Sequence, residues 1–381
     1  MKIVRLETFV VPPRWLFLRV ETDEGVVGWG EPIVEGRAET VRAAVHELGE
    51  TLVGADPLRI EDHWQTLAKG GFYRGGPILS SALAGIDQAL WDIAGKVRGA
   101  PVHELLGGPL RERVRIYSWI GGDDPSASAE QAAAQIEAGL TAVKMNATGP
   151  FRFIETRAQV DATVRRAQLV RETLGDARDL ALDFHGRVSP PMAKRLMAAL
   201  EGVAPLFVEE PVAPELGHAL AGLVAASPIP VATGERLYSR WDFRPVLEAG
   251  VAVVQPDLSH AGGISEVRRI AALAETYGAA LAPHCPLGPI SLAASLQVAF
   301  ATPNFLIQEQ SLGIHYNVDN DLLDYLVDRS VFAFADGAIA RPTAPGLGIA
   351  VDEAAVRAAA ERGHRWRNPI WRDDDGAFTE W

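Results

Sequence analysis

The chain has 381 residues, with 36 Lys plus Arg against 49 Asp plus Glu, a formal net charge of -13, and 48% apolar residues. That composition supplies a sizeable core, and an acidic balance without a local basic run excludes a nucleic-acid-binding surface. No apolar run reaches the ~18 residues of a membrane span, MKIVRLETFVVPP lacks the unbroken apolar core of a secretory signal, and the one cysteine, Cys285, leaves no internal disulfide; the expectation is a cytoplasmic enzyme that engages neither nucleic acid nor membrane.

Residues 1–112 read as a separate α+β unit. Three strands are expected over 3–11, 16–22 and 26–30, with Asp23-Glu24-Gly25 as the hairpin turn between the last two. Helical spacing follows over 37–53 and 79–98, where Leu83, Ile86, Leu90, Ile93 and Val97 share one face.

Over 113–335 the rhythm changes. Eight apolar runs, beginning near 115, 141, 180, 205, 229, 251, 279 and 305, alternate with helix-like stretches at 126–138, 160–174, 191–203, 242–249, 264–277 and 290–300. Such repeats imply parallel strands with right-handed crossovers, and eight of them a modified (β/α)8 TIM barrel rather than an open doubly wound sheet. Segment 147–159 breaks the rhythm and reads as a mobile loop beside the barrel mouth. Over 336–381 a strand-like GLGIAV (346–351), a helix at 353–362 and WRNPIW (366–371) are expected to return to the first unit and complete it.

Catalytic groups of such barrels stand at the C-terminal ends of the strands. The third, fourth and fifth runs end in Asp183, Glu209 and Glu235, 26 residues apart at each step. Three carboxylates converging from adjacent strands need neutralising, and oxygen ligands of this kind suit one Mg²⁺ per subunit. Glu210 should point away from Glu209 along the strand. His185, two residues after Asp183, should share its face. His284 ends the seventh run, and Asp257, at the end of the sixth, would orient it and raise its basicity; His260 and His218 read as structural or surface groups. Glu309, ending the eighth run, could be protonated and donate to a developing oxyanion. Lys144 and Asn146 share a face at the end of the second run, where Lys144 could bind a substrate carboxylate or pair with a neighbouring one. Cys285 reads as a packing residue.

A divalent cation with bases on two faces is equipment for taking a proton from the carbon beside a carboxylate. Return of a proton gives epimerisation; loss of the neighbouring hydroxyl gives a 2-keto-3-deoxy acid. The residues alone leave both open.

The sequence resembles the enolase superfamily, mandelate racemase branch, and within it the D-galactonate dehydratase group. The resemblance runs nearly end to end, through PPRWLFLRVETDEGVVGWGEP (12–32), GFYRGGPI (71–78), GIDQALWDI (85–93), LDFHGRVS (182–189), EEP (209–211), GER (234–236), QPDLSHAGGI (255–264), APHCPLGPI (282–290), QEQSLGIHYN (308–317) and WRNPIW (366–371). It implies an N-terminal capping domain on a modified barrel, Asp183, Glu209 and Glu235 as Mg²⁺ ligands, His284 as the base with Asp257 behind it, His185 as the acid for the departing hydroxyl, and Glu309 as the enediolate stabiliser. Racemases of the branch carry a second lysine on the second strand; here the pattern is Lys144-x-Asn146, which argues for dehydration. Arg14, Trp15, Phe72, Tyr73 and Arg74 are expected in cap loops closing over the sugar tail. The implied partner is a small sugar acid, D-galactonate first and D-gluconate or another hexonate next, and the implied assembly a homo-oligomer. An acid-sugar epimerase and a non-catalytic sugar-acid sensor are the remaining rivals.

Overall fold

The computed structural model describes residues 1–121, 125–314, 317 and 320–380. The chain opens with an antiparallel sheet, β1 (Ile3–Val11), β2 (Trp15–Thr22) and β3 (Val27–Gly30). Helices α1 (Ala38–Gly49), α2 (Ile60–Lys69), α3 (Gly76–Arg98) and α4 (Val102–Leu105) follow. The long α3 lies directly on β3. A Cβ at Gly28 would stand 2.1 Å from the Ala89 carbonyl oxygen and one at Gly30 1.9 Å from that of Gly85, so the strand can approach only because both positions lack a side chain. Sequence periodicity does not reveal α2, whose buried side is just Ile60, His63 and Trp64.

The eight expected barrel strands are all present: β4 (Arg113–Trp119), β5 (Ala142–Asn146), β6 (Asp179–Asp183), β7 (Val208–Glu209), β8 (Val231–Thr233), β9 (Val253–Val254), β10 (Ala280–Leu281) and β11 (Gln308–Gln310). Neighbours from β4 to β10 pair in parallel, β11 pairs in parallel with β4, and a parallel bridge from Leu281 to Phe305 closes the ring. The interior is filled by Tyr117, Ala142, Ala181, Phe207, Ala232, Val253, Ala282 and Ile307, one side chain in or beside each strand. A packed layer drawn from all eight strands is the mark of a closed barrel. The paired segments are shorter than the apolar runs because several runs leave the ladder one to three residues before their polar end.

Outside the ring lie α5 (Pro125–Glu137), α6 (Arg157–Leu174), α7 (Pro190–Leu200), α8 (Leu220–Ala226), α9 (Arg240–Glu248), α10 (Gly263–Thr276) and α11 (Pro289–Ala301). Thr156 caps α6 by accepting from the Gln159 N–H, so the irregular segment ends at 156 rather than 159. The expected boundary at 335/336 falls in the turn of a hairpin, β12 (Phe334–Ala335) and β13 (Ala338–Ala340), whose second strand pairs antiparallel with β4. GLGIAV forms no strand; it contributes only single bridges at Gly346 and Val351. Its two glycines, at φ +73° and +82°, turn the backbone instead. Helix α12 (Glu353–Arg362) then packs on β1, where Arg357 bonds Glu7 at 3.1 Å and Glu353 bonds Arg19 at 3.1 Å. His364 contacts the Pro13 carbonyl, and a last hairpin joins β14 (Trp371–Arg372) to β15 (Phe378–Thr379).

Candidate active site at the barrel mouth

Asp183 ends β6, Glu209 ends β7, and Glu235 stands two residues beyond β8, where Gly234 turns the chain at φ +149°. One carboxylate oxygen from each lies within 4.8 Å of the others. Asp183 and Glu209 are buried. The Lys144 ammonium, from β5, sits 2.9 Å from Glu209, 3.0 Å from Glu309 and 3.6 Å from Asp183. Lys144 is thus paired with the carboxylates of the cluster, the second of the two roles its position allows. Burial works to lower its pKa, but Glu209 and Glu309 hold it well above the ordinary lysine value. One ammonium cannot neutralise this many carboxylates. Burial and the Asp183 charge push Glu209 well above its usual range. Burial pushes Glu235 up too, but the His284 and His185 imidazoles outweigh it and lower it to about 2. A hard cation held by the three oxygens would relieve this conflict. The Gln255 side chain, just beyond β9 and two strands away, fixes Glu209, its Nε2 donating at 2.8 Å.

The second group is the Asp257–His284 pair. His284 Nδ1 bonds Asp257 Oδ2 at 2.8 Å and its Nε2 lies 3.4 Å from Glu235. An ionised carboxylate only accepts, so Nδ1 carries a proton, and Nε2 is the nitrogen that can take a substrate proton when the ring is neutral. Burial lowers the imidazole pKa, but Glu235 and Asp257 more than offset it and raise it well above the usual value. Asp257 Oδ1 is held by the Ser259 N–H at 2.6 Å.

The loop after His284 is fixed at four successive residues. Cys285 N–H donates to Glu309 Oε2 (3.0 Å), the Pro286 carbonyl accepts from Arg14 (2.8 Å), the Leu287 carbonyl from Ser311 (2.7 Å), and the Gly288 N–H donates to Glu31 (2.7 Å). Glu31 also takes the Ser291 N–H at 2.9 Å, at the start of α11; burial nevertheless raises its pKa to about 8. The Glu31 N–H is in turn held by Gln88 of α3, which also donates to the Leu258 carbonyl beside Asp257. The N-terminal unit thus grips the loops of both members of the pair. Sequence reasoning passed over Glu31 and Gln88; their only signal is a charged and an amide residue in otherwise apolar packing segments. Cys285 is buried, its thiol pKa raised by burial, as suits a packing residue.

His185 does not share the Asp183 face by strand alternation. β6 stops at Asp183, and His185 adopts φ +55° followed by Gly186 at +65°. Its N–H instead donates to Asp183 Oδ1 at 2.7 Å, a turn that fastens the imidazole beside the carboxylate cluster. Glu210, at φ +39°, turns away and pairs with Arg236 at 3.0 Å. Asn146 accepts from the Trp119 indole at 3.1 Å.

The expected cap contacts divide. Arg14 reaches the mouth, as above. Trp15 is fully buried, 6.1 Å from Phe17 and edge-on to Tyr325 at 5.8 Å, and so belongs to the core. On β2 this register turns Trp15 inward, and an indole of that size fills the space between sheet and barrel. Tyr73 is 87% and Phe72 91% exposed, their rings edge-on at 5.3 Å; Arg74 bonds back to the Gly71 carbonyl. His218 is exposed. His260, expected to be structural, lies with its ring 6.1 Å from that of His284, 3.5 Å from Glu35 of the β3–α1 loop. His315 and Tyr316 of the QEQSLGIHYN motif lie outside the described residues.

Residues 8–107 match the model of the mandelate racemase / muconate lactonizing enzyme N-terminal domain, and residues 127–355 that of the enolase C-terminal domain-like family. The chain belongs to the enolase superfamily, mandelate racemase branch. Across the full length of both chains it is 56% identical to a D-galactonate dehydratase of Ralstonia nicotianae and 54% identical to one of Variovorax paradoxus. Among solved members of the superfamily, an enolase from Agrobacterium radiobacter with bound Na and L-malate superposes with a TM-score of 0.91 at 31% identity, covering all of both chains. A mandelate racemase/muconate lactonizing enzyme from Sulfitobacter gives 0.90 at 33%, again over all of both.

Proposed function

We propose that this superfamily member is a Mg²⁺-dependent hydro-lyase that converts D-galactonate to 2-dehydro-3-deoxy-D-galactonate. The observation that carries the reading is the pairing of the Asp257–His284 dyad with His185 around the Asp183, Glu209 and Glu235 cluster, in a chain whose full-length relatives are named for that reaction. Asp183, Glu209 and Glu235 would hold Mg²⁺, which when bound supplies positive charge beside the substrate carboxylate and so acidifies the neighbouring C–H.

His284 Nε2 takes the proton from carbon 2, and Asp257 stabilises the imidazolium through Nδ1. Glu309, fixed at both oxygens by Cys285 N–H and Lys144, stands on the enediolate side. His185 gives a proton to the carbon-3 hydroxyl, water leaves, and the enol relaxes to the keto acid. Lys144 is tied to three carboxylates; this favours the His185 imidazole as the acid and dehydration over epimerisation. Residues 1–112 act as the cap, 113–335 as the barrel and 336–381 as the returning segment, in a homo-oligomeric cytoplasmic enzyme. No helix of the described residues is long and apolar enough to cross a membrane.

The test is incubation of the purified protein with Mg²⁺ and a panel of hexonates, with 2-keto-3-deoxy acids trapped by semicarbazide. Turnover of galactonate above gluconate, lost with EDTA, is expected. Absence of keto acid from every hexonate, with deuterium entering carbon 2 in D₂O, would replace dehydration with epimerisation.

A further inference from the structure

The Leu258–Ser259 peptide, next to Asp257, is held at both of its polar groups. Its N–H donates to Asp257 Oδ1 at 2.6 Å, and its carbonyl accepts from Gln88 Nε2 at 2.8 Å. The same Nε2 reaches Ser259 Oγ at 3.2 Å. The other end of the Gln88 amide, Oε1, accepts the Glu31 N–H at 2.8 Å. Glu31 in turn accepts with both carboxylate oxygens, from the Gly288 N–H at 2.7 Å and the Ser291 N–H at 2.9 Å. Gly288 stands on the loop that leaves His284, and His284 Nδ1 bonds Asp257 Oδ2 at 2.8 Å. The contacts therefore close a ring, from Gln88 through Asp257 and His284 to Glu31 and back.

This ring exceeds what docking the two units requires. Helix α3 is already fastened to α10 without Gln88: Asp87 bonds Ser265 at 2.6 and 2.9 Å, and the Trp91 indole donates to Ser265 at 2.9 Å. Gln88, Glu31, Asp257 and Ser259 are fully buried, which closes off water as a replacement partner. The orientation of the Gln88 amide is set by its neighbours, since a backbone N–H only donates and a backbone carbonyl only accepts. A Cβ at Gly288 would stand 2.7 Å from Glu31 Oε1, so the carboxylate reaches that N–H only because the position is glycine. Breaking a buried amide that is satisfied at both ends leaves a donor and an acceptor unmet. A peptide plane that turns to recover them draws its N–H away from Asp257 Oδ1, and the carboxylate turns with it relative to His284 Nδ1.

We infer that Gln88 is a positioning residue for the base: its amide sets the Leu258–Ser259 peptide, and with it the Asp257 carboxylate, against His284, while Glu31 sets the His284 side of the pair. The N-terminal unit then contributes to proton abstraction itself, through two fully buried groups. The inference rests on the dehydratase reading for the reaction the pair performs, and on the hydrogen bonds alone for the positioning.

The test compares Gln88→Met, close in volume but unable to make these bonds, with Trp91→Phe, which removes an α3–α10 hydrogen bond and leaves the ring intact. In the full-length, Mg²⁺-loaded protein, Gln88→Met is expected to lower galactonate kcat and carbon-2 exchange in D₂O together, on the order of 10²-fold for a displacement of about 1 Å, with KM close to wild type. Trp91→Phe should keep both rates. Glu31→Gln, which turns one acceptor into a donor facing an N–H, should follow Gln88→Met in the same direction. Unchanged kcat and exchange in folded Gln88→Met, or an equal loss in Trp91→Phe, would overturn the inference, as would a rise in KM with kcat retained. If Gln88→Met does not fold, Glu31→Gln decides by the same measures. A second readout is independent of turnover. In protein isotope-labelled at histidine, the NMR resonance of the His284 Nδ1–H, carried downfield by its bond to Asp257, should move upfield in Gln88→Met and stay in place in Trp91→Phe. If wild type acts on no hexonate, the dehydratase reading fails separately and this resonance decides the positioning, an unmoved signal refuting it.

Discussion

The two sides of His284 are built differently. Towards the barrel axis, Lys144, Glu209 and Glu309 close to 2.9 and 3.0 Å, and each lies within a barrel strand. Towards the cap, Arg14, Glu35 and His260 stand 3.5 to 3.7 Å apart and come from loops. The first side must hold charge in place before a substrate arrives, so its groups are fixed by the ladder. The second is held through loop backbone instead, Arg14 donating to the Pro286 carbonyl at 2.8 Å. Preorganised charge is thus densest on the side where charge develops in the reaction.

Breaking the tight side should have the largest effect. Glu209→Gln removes a metal oxygen and the principal partner of Lys144, and turnover should fall by about 10³-fold or more. Calorimetry should register the loss of Mg²⁺ binding, while thermal unfolding without Mg²⁺ should show little destabilisation, because a repelled anion has gone. Retained Mg²⁺ affinity would take Glu209 out of the ligand set.

Next come the two imidazoles. His284→Asn should cut both carbon-2 proton exchange in D₂O and dehydration by roughly 10²- to 10⁴-fold. His185→Asn should cut dehydration by about 10²-fold with a smaller loss of exchange. Parallel losses in the second variant would mean that His185 does not serve the departing hydroxyl alone.

The cap separates packing from exposure. Trp15→Ala should destabilise the fold by about 3–5 kcal/mol, read from urea unfolding, whereas Tyr73→Ala should stay within about 0.5 kcal/mol. A fully stable Trp15→Ala protein in which galactonate KM alone rises would return Trp15 to the substrate.

The last effect, read only as a pH dependence, concerns the joint between the two units. Burial raises the Asp87 carboxyl to about 7, even though Ser265 bonds it at 2.6 and 2.9 Å. An acid with a raised folded pKa binds its proton in the native state over a range where the unfolded chain has lost it. Its contribution is therefore full below the unfolded value near 3.8, and is lost as pH rises through about 7. Asp87→Asn should flatten the decline in unfolding free energy between those two values. A slope equal to wild type would place the titration elsewhere.

Much of the site is legible because a βα repeat sets a fixed step. Asp183, Glu209 and Glu235 fall one unit apart, and Asp257, His284 and Glu309 continue around the ring, so position along the chain reports position around the barrel. The same logic puts His185 beside Asp183 by alternation, whereas the ladder stops at Asp183 and a left-handed turn carries the residue there instead. It says nothing about Trp15 and Tyr73, for another reason. Whether an aromatic residue beside a loop faces a substrate, the core or solvent depends on what packs against it, and the partner of Trp15, Tyr325, lies some 300 residues away in the sequence.

The sequence by itself determined the repeat, the strand ends and hence which carboxylates gather at the mouth and which histidine meets Asp257, since these follow from local periodicity and a constant spacing. Only the tertiary structure decided that Glu31 and Gln88 hold the dyad loops, that Lys144 is spent on three carboxylates, and that Glu35 meets His260. Those contacts join loops and helices separated by up to 260 residues, as Glu31 and Ser291 are, and no periodicity along a chain encodes which surfaces of two separate units will be pressed together.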